Sequence, residues 1–153
     1  MSFRIAKAEK VLPRTRERAL ATATLTKGAL LTVNGSGQYA ECGADPAAVA
    51  AVALSAAGTG NGAEHPIGYK EFPPGYMQAV LVSADLDFIA EYVGALGTIG
   101  TAYGVVKGAD GVWRVDFGET SSTVVTYIEN PDVGPMDFPF VLVRFRAAVI
   151  QPS

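Results

Sequence analysis

The stretch "TAYGVVKGADGVWRVDF", residues 101–117, constrains this chain more than any other. Trp113, Val115 and Phe117 alternate with Arg114 and Asp116, the period of two that sends successive side chains to opposite faces of a sheet. Asp110 and Gly111 supply the positive φ that a tight hairpin turn needs. A hairpin with one apolar face is stable only when further strands or another layer cover it. The middle of the chain is therefore committed to β structure.

The same alternation recurs on both sides. "ALLTVNGSGQYAEC" predicts strands over Leu30–Val33 and Gln38–Cys42 around a turn at Asn34 to Gly37. Met77–Ser83 reads as a strand with a bend at Asp85–Asp87, and "SSTVVTYIE" as another strand. In "FVLVRFRAAVIQ", Val141, Val143, Phe145, Ala147 and Val149 share a face opposite Arg144 and Arg146. "DPAAVAAVALSAAG" is ambiguous: Asp45 and Pro46 suit a helix start, yet the alanine-valine run equally suits a buried strand. A short helical turn over Asp45–Val49 followed by a strand is expected. With 17 Gly and 9 Pro among 153 residues, and 49% hydrophobic residues, the chain has many turns and enough apolar surface for one core. The fold class expected is mainly β: a compact sandwich or barrel-like domain with little helix.

Charge is unevenly placed. Residues 1–24 hold six basic groups against two acidic, net +4, while the remainder is net −7. The expected organisation is a basic N-terminal arm over 1–24 leaving a single β-rich domain over 25–153. By itself such an arm reads first as a solvated or helical extension without a partner; beyond Phe3 it has no aromatic residue to stack on bases, so a protein partner ranks ahead of nucleic acid. There is neither an apolar signal-peptide core nor an uninterrupted apolar run of membrane-spanning length, so synthesis in the cytosol is expected, with no membrane partner.

Few residues can carry chemistry. "GTGNGAEHPIG", residues 58–68, loosely matches a dinucleotide-binding turn, but Pro66 disfavours the helix whose N-terminal amides such a turn needs. No Walker lysine follows either. This segment reads as a surface loop, with Asn61, Glu64 and His65 as possible partner contacts. Cys42 and His65 are the only cysteine and histidine; a Cys-His nucleophile needs an activated thiolate, and Cys42 reads better as a small buried residue. Two such ligands do not make a structural zinc site, and neither metal nor cofactor is expected. Asp85 with Asp87, and Asp132 with Asp137, read as turn formers. Asp116 and Glu119 read equally as exposed charges or as a carboxylate pair for glycoside hydrolysis. Trp113, Tyr103 and Phe117 suit a core better than a sugar platform.

"LTKGALLTVNGSGQYAECGADPAAVAAVALSAAG", together with "YGVVKGADGVWRVDF", "TVVTYIENP" and "FVLVRF", resembles the capsid decoration (cement) proteins of tailed bacteriophages and related small head proteins. The resemblance spans roughly residues 25–150 and rests on turn chemistry and strand spacing. It implies a β-tulip-like or barrel-like module, often trimeric, that sits on the outer surface of the virion and stabilises the shell of major capsid protein, with no catalytic residues and no small-molecule substrate. It also implies that an N-terminal arm orders on the capsid. The residues so placed are Phe3, Arg4, Ile5, Lys7, Lys10, Val11, Leu12, Arg14, Arg16 and Arg18, and removal of residues 1–20 is then expected to leave a folded domain. The alternatives are a virion or tail carbohydrate-binding module and a small hydrolase.

Overall fold

The computed structural model describes residues 3–8, 13–21, 24–58, 72–130 and 140–151. In chain order its strands are β1 (Arg4–Ala8), β2 (Thr15–Ala19), β3 (Thr24–Leu25), β4 (Leu30–Val33), β5 (Tyr39–Glu41), β6 (Ala51–Ala53), β7 (Ala57–Gly58), β8 (Tyr76–Leu81), β9 (Leu86–Val93), β10 (Ala102–Lys107), β11 (Trp113–Asp116), β12 (Val125–Glu129) and β13 (Phe140–Phe145). A 3-10 turn, Ala147–Val149, follows β13, and the described residues contain no α-helix.

Strands β9, β11, β10, β12 and β13 are joined in that order, and β13 returns to β9, closing a five-stranded barrel. Every seam is antiparallel except β9 with β11. The barrel fills with the residues that alternation assigned inward: Val115, Val125, Val141 and Val143 are fully buried. Phe88 meets Phe145 edge-on at 5.2 Å between ring centroids. At the other end Phe117 gathers Tyr103, Tyr127 and Tyr92 within 5.4 Å. Trp113, Tyr103 and Phe117 are thus core residues, as their shared face predicts. The Asp110-Gly111 hairpin is also present, with Gly111 at φ 80°.

A second sheet, ordered β2, β8, β6, β4, β5, is antiparallel throughout and contains the Leu30–Glu41 hairpin. It curls until its two outer strands meet: Leu20 bridges Tyr39, and the Ala21 N–H donates to the Tyr39 carbonyl at 2.8 Å. A two-stranded ladder, β3 with β7, completes the strand pairing. One apolar cluster runs through both sheets. The C-terminal segment ties them: Val49 bridges Ile150, and the Gln151 side chain exchanges hydrogen bonds with the backbone of Val33 at 2.9 and 2.8 Å.

Four expectations need correction. The described part of residues 1–24 is no separate arm. β1 pairs with the first half of β9, β2 pairs over its whole length with β8, and Phe3 is 2% exposed with its ring 5.5 Å from Phe145. Charge hid the period of two in "FRIA" and "TRERAL", since an edge strand tolerates long cationic side chains. Losing residues 1–20 thus strips two strands and a core aromatic. Asp45–Val49 is not a helical turn: Asp45 adopts a left-handed φ of 49° and Val49 pairs outward to Ile150, so tertiary strand partners override the alanine preference. Asp87 belongs to β9, not to the bend before it; the turn ends at Leu86, whose N–H reaches the Ser83 carbonyl. Finally, β13 stops at Phe145 and Ala147 is exposed in the 3-10 turn.

Candidate interaction surfaces

The connection from β9 to β10, residues 94–101, carries no charge, and its conformation is fixed by the aromatic end of the barrel. Gly94 and Gly100 take φ of 86° and 89°. At Gly97 a β-carbon would lie 2.4 Å from the Tyr103 ring, so only glycine lets the loop rest on that ring. The Tyr103 hydroxyl accepts from the Thr98 N–H at 2.7 Å, and the Tyr127 carbonyl accepts from the Gly100 N–H at 2.8 Å. With its backbone anchored at both points, the loop holds Leu96 and Ile99 outward, 48% and 61% exposed. Beside it, Gly118 approaches Gly94 and leads to Glu119. The Ser121 hydroxyl and the Ser121 and Ser122 N–H groups bond the Glu119 carboxylate and lower its pKa, so it stays ionised.

Beside the second sheet is a polar recess of about 400 Å³. Arg14 and Arg16 line it with Gln151, over Ala50, Leu81, Val82 and Ile150. Both arginines are exposed, and neither has an ion-pair partner among the described residues. Arg18 turns away: its guanidinium lies 5.7 Å from the centroid of the Tyr39 ring and donates to the Gly37 carbonyl at 3.1 Å.

A third depression, about 300 Å³, is lined by Cys42, Asp45, Val105, Lys107 and Trp113. Its Lys107 and Trp113 donors are taken up by the neighbouring Glu41 carboxylate. Glu41 accepts from Lys107 Nζ at 2.6 Å and from the Trp113 indole N–H at 3.0 Å. Burial, and secondarily the Glu41 charge, push the Cys42 thiol up to about 12, so it is no thiolate at neutral pH. Trp113 is 1% exposed and offers no face to a sugar.

The residues expected to contact a partner are therefore dispersed. Phe3 is in the core, Ile5 packs against it, and Arg4 lies 5.0 Å from the Phe140 ring centroid. Lys7 sits in β1 opposite Asp87. Arg14 and Arg16 come together around the polar recess, while Phe3, Arg4 and Ile5 line a separate, mostly apolar cavity of about 230 Å³ with Val52, Leu54 and Val80. Lys10, Val11, Leu12, Asn61, Glu64 and His65 lie outside the described residues, as do Asp132 and Asp137. Asp87, 2% exposed, forms a 2.7 Å ion pair with Arg144 Nε, while in the turn before it Ser83 Oγ accepts from the Asp85 backbone N–H at 3.2 Å. Asp116 accepts from the Gly118 N–H, so it and Glu119 each serve a local turn. No cluster of three or more His, Cys, Asp or Glu side chains occurs among the described residues. Sequence reasoning missed Leu96 and Ile99; the available signal was two large apolar residues in the glycine-spaced, uncharged run "GALGTIG".

No family model matches the chain, and no curated protein is detectably similar to it.

Proposed function

We propose that this chain is a structural protein of a tailed-bacteriophage virion. It decorates the outer surface of the capsid and stabilises the assembled shell by binding the major capsid protein, acting as a trimer. The observation that carries this reading is the Leu96–Ile99 loop. Two large apolar side chains stand in water on a backbone that the Tyr103 hydroxyl and the Tyr127 carbonyl fix in place. Exposed apolar groups held rigidly lose little conformational freedom on docking, the economy expected of a protein-binding surface. A repeated shell multiplies such a modest contact through many copies. The sequence resemblance over residues 25–150 supports the same reading.

The test is decoration of empty heads of the phage that encodes the chain, viewed by electron microscopy. Stoichiometric extra density is expected with the wild-type protein, and loss of that density with Leu96→Asp/Ile99→Asp, whose folding is checked by circular dichroism. Bare heads with the wild-type protein, or equal decoration by the folded variant, would overturn the proposal. Sedimentation equilibrium is expected to give three times the 15.9 kDa chain mass.

A further inference from the structure

The Arg14/Arg16 recess is independent of the apolar loop, and we propose that it binds an extended acidic segment carrying carboxylates at alternate residues. This inference rests on the partner being a protein. Arg14 and Arg16 lie two residues apart where the chain enters and runs along β2, so their side chains share one face at a spacing of about 6–7 Å. Alternate carboxylates on an extended peptide have the same spacing, which sets them opposite both guanidinium groups at once. Glu17 projects to the other face and does not oppose such a ligand.

The backbone of β2 supplies a second determinant. The Leu81 N–H donates to the Arg14 carbonyl and the Leu20 N–H to the Gly75 carbonyl, so the even-numbered residues direct their polar groups at β8. Thr15 and Glu17 therefore direct theirs at the opposite edge, where no strand pairs with β2 among the described residues before the Leu20–Tyr39 bridge takes up Ala19 and Ala21. An extended segment lying there gains main-chain hydrogen bonds while its carboxylates meet the arginines. The floor of Ala50, Val82 and Ile150 is aliphatic, with no aromatic ring on which a base can stack, so an acidic peptide fits better than a nucleic acid.

The experiment uses fluorescence anisotropy with three labelled probes: a short capped peptide of alternating Thr and Glu, a peptide of the same composition with its glutamates in one block, and an oligothymidylate. The full chain is expected to bind the alternating peptide about fivefold or more tighter than the blocked one, with affinity falling as salt rises. Arg14→Glu/Arg16→Glu is expected to lose about tenfold or more, Arg14→Lys/Arg16→Lys to retain part of the affinity, and Lys27→Glu, a surface cation elsewhere, to match wild type. No binding of the alternating peptide, equal binding of the blocked peptide, tighter binding of the oligothymidylate, or full binding by the charge-reversed variant overturns the inference. The outcome is separable from the function proposed above. Heads decorated equally by the charge-reversed variant leave the capsid reading standing and remove the recess from it, whereas peptide binding by a protein that leaves heads bare does the opposite.

Discussion

The barrel closes through backbone ladders at every seam, from β9 with β11 round to β13 with β9. The second sheet closes through one bridge at Leu20 and Tyr39 and through side chains: the Tyr39 hydroxyl donates to the Arg16 carbonyl at 2.9 Å, and Arg18 reaches Gly37. The side-chain seam also leaves Arg18 Nε buried without a hydrogen-bond partner among the described residues, at a cost of about 1–3 kcal/mol. Both sheets share one apolar core, so the difference lies in their edges and not in their interiors. A ladder seam distributes its stability over many equivalent bonds, whereas a side-chain seam concentrates it in a few groups and leaves backbone beside them open. The open edge of β2 is located at the weaker seam, and Arg16, which lines the recess, is also the residue whose carbonyl that seam uses.

The largest effect is expected from the shared core. Phe88→Ala removes a fully buried ring packed against Phe145 and is expected to cost about 3–5 kcal/mol, read as a shift in the urea unfolding midpoint. Because the core is common, hydrogen exchange is expected to accelerate in both sheets. Acceleration confined to the barrel would show that the two sheets unfold separately.

A smaller and local effect is expected at the side-chain seam. Tyr39→Phe deletes the hydroxyl bond to Arg16 and keeps the ring, at a cost of about 1 kcal/mol. Exchange protection is expected to fall roughly fivefold in β2 and β5, with barrel amides unchanged. Uniform loss across the molecule would mean that the seam is as cooperative as a ladder.

The smallest effect is at the tip of the β10–β11 hairpin. The paired Arg114 guanidinium, and then the Val112 N–H, hold the Asp110 carboxyl at about 2, below its ordinary 3.8. A lowered folded-state pKa means that this stabilisation is present above pH 3.8 and disappears as pH falls through about 2. Carbon-13 titration of the Asp110 carboxyl is expected to show a midpoint near 2, and Asp110→Asn to remove that part of the acid dependence. A midpoint near 4 would show that the pair does not persist in solution.

Legibility in the sequence followed the same divide. The 102–116 hairpin was readable because one face is apolar, the other is polar, and Asp110-Gly111 marks the turn. β9 was not, because "LDFIAEYV" buries residues on both faces and includes Asp87, a residue whose usual place is a turn; only Arg144 on the paired strand accounts for it there. β1 and β2 were hidden by their charge. The recess was only half visible: Arg14 and Arg16 stood out as basic, but Ile150 and Gln151 join them through long-range contacts to Val49, Thr32 and Val33, which no local pattern announces. The apolar loop lacked any motif, because its rigidity comes from Tyr103 and Tyr127 outside it.

The packing of Phe3 on Phe145, beneath a barrel that only β13 can close, has a consequence for how the molecule is made. Contacts so distant along the polypeptide give a slow, high-contact-order topology. A ribosome must therefore deliver β13 before the interior can seal, and until then the Phe3 ring waits without Phe145 although β1 can already pair with β9. During that interval unpaired strand edges are open to one another, and cationic side chains on β1 and β2 oppose such edge-to-edge pairing.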